Sequence, residues 1–470
     1  MADFFQKQHS DTLAFESLSF HIRYMQTPLK IAVVGSGLVG SLLAIYLRKY
    51  NHTVHVFDRS PDIRKLSLSG RSINLAVSDR GWKALDYVGI GDAIRDIAIP
   101  MDKRAIHTDE NVKFQYYGKD GEAIYSISRG VLNRRMIDLA EEAGAEFYFN
   151  TRIWDVTLAT ATLHIGEKEE GEWTPLKYDI VFGADGAFSR VRHRMQRQNM
   201  FNYQQNFLST GYKELNIPAN PDGTYKLNKN SLHIWPRGEY MLIALPNLDG
   251  SFTCTLFMPF EGQNSFEELT DVRSVENFFL KNFPDTINAI QNLTEDFFKN
   301  PTSSLVTMQC YPWTYHDKVA LIGDACHAIV PFYGQGMNAG FEDISVLNEM
   351  IEKYGDDWLR VFSEYQISRK PNADAIAELS YRNFMEMSSD TASEKFLLQK
   401  EIEKHFSEKY PEKWMPLYSR VTFSHRPYSE ALTIGDKQDQ IMDQIMKIDN
   451  IENIWKTEEI EQKIIELLES

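Results

Sequence analysis

Cysteine is scarce in this chain, with three residues in 470, Cys254, Cys310 and Cys326, far apart and without a C-x-x-C pair. That excludes a disulfide framework or a structural zinc site and fits a reducing cytoplasm. His327 sits beside Cys326, but with no further ligand at metal spacing it reads as a structural histidine, and no metal is expected. Positive charge is also short: 50 Lys and Arg stand against 66 Asp and Glu, a net charge of -16. A surface of that sign repels a phosphate backbone and argues against nucleic-acid binding, so an anionic cofactor requires a local basic pocket. Long apolar runs are missing too. The stretch from Ile31 to Leu47 is broken by Gly35, Ser36, Gly37, Gly40 and Ser41, and falls short of the ~20 apolar residues that span a bilayer. The opening MADFFQKQHSDTL lacks the charged start and apolar stretch of a secretory signal, and the closing IEQKIIELLES is too charged to cross a membrane. The expectation is a cytoplasmic protein without a membrane span. No repeat, low-complexity tract or Gly/Ser-rich linker divides the chain. At roughly three times the usual domain length, it is expected to hold interleaved domains around a shared core.

Hydrophobic residues make up 43% and charged residues 25%, the balance of a globular protein. Residues 1–29 carry no periodic pattern, and Met25 marks them as an optional extension of unknown role. From Lys30 the pattern runs apolar strand (KIAVV), Gly-rich turn, amphipathic helix to about Tyr50, then strand (TVHVFD). That is a βαβ unit feeding a parallel sheet. Between about Tyr203 and Phe260, SLHIW, YMLIAL and SFTCTLFM read as strands of an antiparallel meander on which a substrate could lie. After Phe341 the periodicity turns helical through ISVLNEMIEKY, WLRVFSEYQISRK and EEIEQKIIELLE. The fold class is therefore α/β: a Rossmann-like dinucleotide-binding domain with a parallel sheet, interleaved with an antiparallel-sheet substrate domain, and a C-terminal helical region. The expected division assigns 30–102, 128–202 and 305–377 to the first, 103–127 and 203–304 to the second, and 378–470 to the third.

Three motifs carry the chemistry. Gly35-Ser36-Gly37-Leu38-Val39-Gly40 follows an apolar strand and opens a helix. Gly35 permits a tight turn, Gly37 lets the backbone approach a pyrophosphate, and Gly40 lets helix and strand pack closely. Unpaired N–H groups at the helix start suit phosphates, and Asp58, ending the next strand, can accept from ribose hydroxyls. This motif does not separate FAD from NAD. The second, YDIVFGADGAFSRVR, ends a buried strand in Asp185-Gly186, followed by Ser189 and Arg192; read alone it is a strand ending in an Asp-Gly turn. The third, KVALIGDACHAIVPFYGQGMNAGFEDISVL, ends a strand in Gly323-Asp324 and enters a helix through Gly334-Gln335-Gly336-Met337-Asn338. That helix start fits a flavin ring, whose reduction leaves negative charge that a helix N-terminus stabilises.

In this order and spacing, from about Lys30 to Ala377, the motifs resemble the single-component FAD-dependent aromatic hydroxylases, the group containing para-hydroxybenzoate hydroxylase. No second G-x-G-x-x-G is present, in keeping with that group. SGRSINLAVSDRG (69–81), MDKRAIH, QYYGKDG, PFYGQGMNAGFED, SYRNFMEMSSD (380–390) and MPLYSRVTFSHRPY (415–428) resemble the kynurenine 3-monooxygenase family within it. The resemblance implies FAD contacts at Gly35, Gly37, Leu38, Val39, Gly40, Asp58, Arg59, Arg71, Arg134, Asp185, Gly186, Asp324 and Gly334 to Asn338. It implies substrate contacts at Arg104, Tyr117, Phe332, Tyr333, Asn383 and Tyr418, with Arg104 pairing the kynurenine carboxylate. Without it, each aromatic reads as core packing and Arg104 as a surface ion pair. It further implies NADPH as reductant, dioxygen as co-substrate and hydroxylation of L-kynurenine to 3-hydroxykynurenine through a flavin C4a-hydroperoxide, so no catalytic side chain is required. A homodimer is compatible with this reading. Eukaryotic relatives resemble membrane-anchored enzymes, and the charged C-terminal stretch departs from them. The alternatives are an FAD hydroxylase of another phenol- or aniline-type aromatic, and a flavin-binding protein without turnover.

Overall fold

The computed structural model describes residues 28–66, 73–108, 111–117, 121–386 and 394–469. The KIAVV run is Lys30–Val34, buried at four of its five positions because it lies inside a six-stranded sheet. Its neighbours are Thr53–Phe57 and Ile180–Gly183, both parallel to it. Glu146–Tyr148 extends the sheet beyond Thr53–Phe57, and Val319–Leu321 beyond Ile180–Gly183, again in parallel. Thr314–Tyr315 closes that second edge antiparallel. Helices Arg129–Glu142 and Gly336–Tyr354 both pack on Leu38–Lys49 beside the sheet, and strands covered in this way read as continuous apolar runs.

The second sheet has seven strands in the order Ser303–Tyr311, Asn202–Ile217, Phe252–Pro259, Tyr240–Pro246, Ser231–Arg237, Lys103–His107, Val112–Tyr116. The expected meander is present, but the sheet is not antiparallel throughout: Lys103–His107 runs parallel to Ser231–Arg237. It comes from much earlier in the chain and joins by a crossover rather than a hairpin. Alternation divides the sheet's two faces. Trp235, Leu242, Ala244, Cys254 and Leu256 pack with Phe279 and Phe283 into a core under helices Val272–Asn282 and Leu293–Lys299. Leu232, Ile234, Met241, Ile243, Thr255 and Phe257 face a cavity between this sheet and the first.

Helix Trp358–Met385 runs uninterrupted past residue 377, where a boundary was expected, and carries Pro371 inside it. Beyond it, Glu394–Lys409, Tyr428–Ile445 and Glu458–Glu469 build a core of their own around Ile402, Phe406, Trp414, Ile441 and Ile464. A smaller cluster of Tyr333, Ile376, Leu379, Val421 and Tyr428 fastens this region to the cavity wall. Among the described residues no helix is long and apolar enough to cross a membrane.

Candidate active site

The cavity has a volume of about 1140 Å³, above the usual range for a single small-molecule pocket, so it has room for more than one ligand. One wall is built from backbone. The first strand breaks at Gly35, whose φ of +109° and whose Cβ position, 2.4 Å from the carbonyl oxygen of Ala184, admit glycine alone. Gly37 precedes helix Leu38–Lys49 without a side-chain cap, and a Cβ there would point into open space. That bare surface, with helix N–H groups behind it, is a cradle for an anion. Gly35, Gly37, Leu38, Val39, Asp58 and Arg59 line the cavity, whereas Gly40 lies beneath the turn. Asp58 Oδ2 accepts from the Ser36 N–H (2.9 Å) and hydroxyl (2.8 Å), fastening the glycine turn to the end of the second strand.

Asp185 and Gly186 also line this wall. The Asp185 carboxylate accepts from Ser189 Oγ (2.5 Å) and the Arg190 N–H (2.6 Å), and Ser189 in turn caps helix Arg190–Met195 by accepting from the Arg192 N–H (3.0 Å). Burial pushes its pKa up, and those hydrogen bonds oppose the shift. Arg192 donates to the carbonyls of Ala325 (2.8 Å) and Ala187 (2.6 Å), tying the second motif to the third. In the third, Asp324 faces the cavity with no side-chain hydrogen bond among the described residues. Gly334, Gln335, Gly336 and Met337 line the cavity where helix Gly336–Tyr354 begins without a side-chain cap. Asn338 does not reach the cavity. Its Oδ1 accepts from the Ser78 N–H (3.0 Å), and its Nδ2 donates to the carbonyls of Ala76 and Gly334 (2.9 Å each), so it clamps the helix start to strand Asn74–Val77.

Arg134 likewise turns away, donating to the carbonyls of Ile63 (3.2 Å) and Leu66. Arg71 lies outside the described residues. Arg129, Arg152 and Arg190, which the sequence reading passed over, join Arg59, Arg104 and Arg192 on the lining, the basic pocket that an acidic chain needs for an anionic ligand. The position of Arg129, directly after strand Ile124–Ser128 and opening a helix, was the available signal.

The other wall is built from side chains. Arg104, on strand Lys103–His107, has its guanidinium carbon 4.4 Å from the ring centre of Tyr418 and 5.3 Å from that of Tyr117. Tyr418 stacks between Tyr117 (5.3 Å) and Tyr333 (5.5 Å). Arg104 Nε and the Tyr117 hydroxyl are buried without a hydrogen-bond partner. Burial opposes the charge on Arg104, but the oxygens of Tyr418 and Tyr117 outweigh it, and its pKa lies above the ordinary value. Burial also lifts Tyr117 and Tyr333 well above the usual phenol range. Arg104, Phe332, Tyr333 and Tyr418 line the cavity, and Tyr117 stands behind Tyr418. Asn383 is not on the wall; its Nδ2 donates to the Phe332 carbonyl (2.7 Å) and holds that turn. Thr255, Phe257, Met241 and Ile243 complete the wall, and strand alternation could have revealed them.

Cys326, His327 and Asp343 bring three donor atoms within 4.8 Å of one another. Asp343 is already engaged by His327 Nε2 (2.5 Å), Arg369 Nε (2.7 Å) and the Gly323 N–H (3.0 Å). The guanidinium supplies the positive charge a metal would bring, and burial raises the Cys326 thiol far above its ordinary pKa, so the group reads as an internal ion pair.

Residues 28–380 match the family of the FAD binding domain. The chain is 78% identical over 445 residues to a kynurenine 3-monooxygenase of Flavobacterium johnsoniae, covering 95% of this chain and 100% of that protein. It is 73% identical over 446 residues to the enzyme of the same name from Flavobacterium psychrophilum, covering 95% and 100%. Among solved structures, the tetrameric form of 2-methyl-3-hydroxypyridine-5-carboxylic acid oxygenase matches with a TM-score of 0.66 at 18% identity, covering 80% of this chain and 96% of that one. At that identity the likeness is one of fold.

Proposed function

The chain belongs to the kynurenine 3-monooxygenase family, and from that premise we propose that the two walls of its cavity divide one reaction between them. It is an FAD-dependent monooxygenase that hydroxylates L-kynurenine to 3-hydroxykynurenine with NADPH and dioxygen as co-substrates. The flavin, when bound and reduced, supplies the oxygen chemistry. The residues around it bind, orient and exclude water. The Gly35–Gly40 turn holds the pyrophosphate on backbone N–H groups, with Asp58 and Asp324 accepting from hydroxyls of the ribose and ribityl chain. The start of helix Gly336–Tyr354 supports negative charge on the ring.

Arg104 pairs with the kynurenine carboxylate, and the Tyr117 hydroxyl and Tyr418 complete the polar grip. Phe332, Tyr333 and Phe257 wall the aromatic ring and keep water from it. Asn338 and Asn383 act one step back, by fixing the backbone of the helix start and of the Phe332 turn. The six-stranded sheet with its helices serves as the flavin-binding domain, the seven-stranded sheet, which takes in strand Ser303–Tyr311, as the substrate domain, and the helices beyond Met385 as a helical cover. Three buried free thiols favour the cytoplasm, and a homodimer is the assembly to test by light scattering.

The observation that carries this reading is the half-buried Arg104 on the cavity wall, whose Nε is buried and unsatisfied, beside an unsatisfied Tyr117 hydroxyl. Such groups await a carboxylate-bearing ligand. The test is the visible spectrum of the purified protein, then NADPH consumption with and without L-kynurenine and the mass of the product. A yellow protein whose NADPH oxidation rises with kynurenine is expected. Stimulation by simple phenols alone would replace the substrate, and the absence of any stimulation would leave only flavin binding.

A further inference from the structure

Two of the strings that point to this family, SGRSINLAVSDRG (69–81) and MPLYSRVTFSHRPY (415–428), meet at a residue outside the cavity lining. Arg80, in helix Asp79–Tyr87, is 1% exposed, yet its guanidinium is engaged on every side. Nε donates to the Val421 carbonyl (3.2 Å) and one terminal nitrogen to the Arg426 carbonyl (2.5 Å). The other pairs with Glu342, and the guanidinium carbon lies 3.9 Å from the Tyr428 ring centre. Both carbonyls and the ring belong to the 415–428 string. Val421 sits in the last turn of the short helix Leu417–Thr422, whose final carbonyls have no partner within the helix, and Arg80 supplies one across the fold. The same short helix carries Tyr418, the ring stacked between Tyr117 and Tyr333 beneath Arg104.

We propose that Arg80 is a positioning residue for the substrate pocket: by forking over the carbonyls of Val421 and Arg426, it fixes the segment that sets Tyr418 in the cavity wall. This rests on the reading of that wall as the kynurenine site. Glu342 keeps a second cation, Arg369 at 2.5 Å, so its half-buried carboxylate is not left unpaired when Arg80 is changed. Tyr428 also donates its hydroxyl to Gln335 (2.9 Å), so the dock reaches the helix start of the third motif as well.

The test compares R80K with the wild-type holoenzyme. A lysine keeps a charge for Glu342 but cannot fork over two carbonyls. Flavin content should stay near one per chain, while the dissociation constant for L-kynurenine, read by calorimetry, rises about tenfold, the scale of one lost charge-assisted hydrogen bond. In a Tyr418→Ala background the same change should add almost nothing, because both act through one ring, whereas a general loosening of the fold would add in full. If R80K purifies short of flavin, the kynurenine titration is read on protein reconstituted with FAD. Unchanged kynurenine affinity in a flavin-replete variant, or fully additive losses, overturns the proposal. A wild-type protein that binds flavin but no kynurenine overturns the reading of the site and the proposal together.

Discussion

The two walls of the cavity differ in what they are made of. The flavin wall is backbone: a glycine turn, two helix starts without side-chain caps and the strand ends that carry Asp58, Asp185 and Asp324. The substrate wall is side chains, drawn from strand Lys103–His107, the sheet between Ser231 and Pro259, the Phe332–Tyr333 turn and helix Leu417–Thr422. Backbone recognition needs residues at fixed spacing along the chain. Side-chain recognition needs them close only in space, and here it needs the C-terminal helices to hold Tyr418 in place. The flavin wall should therefore fail wholly at a single position, and the substrate wall by degrees.

The largest effect expected is at Gly37. A Cβ there meets nothing in the protein and points into the cavity, so Gly37→Val should fold yet purify without FAD, its branched side chain standing where the pyrophosphate must come. Flavin content by absorbance, with a melting curve, checks both halves. A folded variant with full flavin would break the account of this wall. Gly35→Ala offers no such separation, since its conformation and the Ala184 carbonyl at 2.4 Å would disturb the sheet itself.

The same contrast decides what could be read from the sequence. Gly35 to Gly40 and the Asp58 that follows are legible as a string because the turn, the helix start and the strand end are contiguous. Asn338 shows the limit of that method: it sits in the expected motif, yet its amide clamps Ala76 and Ser78 instead of facing the cavity, and no spacing rule reports a side chain's direction. Arg134 and Asn383 fall to the same cause, each engaged with a nearby carbonyl. On the substrate wall, Arg104 and Tyr418 lie more than three hundred residues apart in the chain and meet at 4.4 Å. Only the family resemblance joined them. The parallel pairing of Lys103–His107 with Ser231–Arg237 was hidden likewise, since long-range pairing leaves no local pattern.

On the substrate wall the expected loss is graded. Arg104→Leu removes the fixed charge from a buried site and leaves the kynurenine carboxylate unpaired, a cost of roughly 2–5 kcal/mol. Affinity should weaken by about two orders of magnitude or more. Flavin content should hold, since Arg104 lies outside the three cofactor motifs. Titration of kynurenine against both proteins, with flavin content in parallel, measures this. An equal loss of flavin and substrate would show the two walls to be one unit.

The smallest effect expected is none. Tyr117 and Tyr333 are pushed well above the usual phenol range by burial, and Arg104 lies above the ordinary guanidinium value. Each therefore keeps its protonation state across neutral pH, the tyrosines neutral and the arginine charged. The substrate carboxylate is ionised throughout the same range, so kynurenine affinity should be flat between about pH 6 and pH 8.5. Calorimetric titrations at several pH values in buffers of matched ionic strength test this. A step on the acid side would mean that another titratable group of the cavity lining enters the binding equilibrium. Among the carboxyls of the cavity lining, Asp185 is the one that burial raises, and it belongs to the flavin wall. Such a step would show the backbone wall answering to the substrate. A flat profile would leave substrate affinity to a fixed charge and two neutral rings.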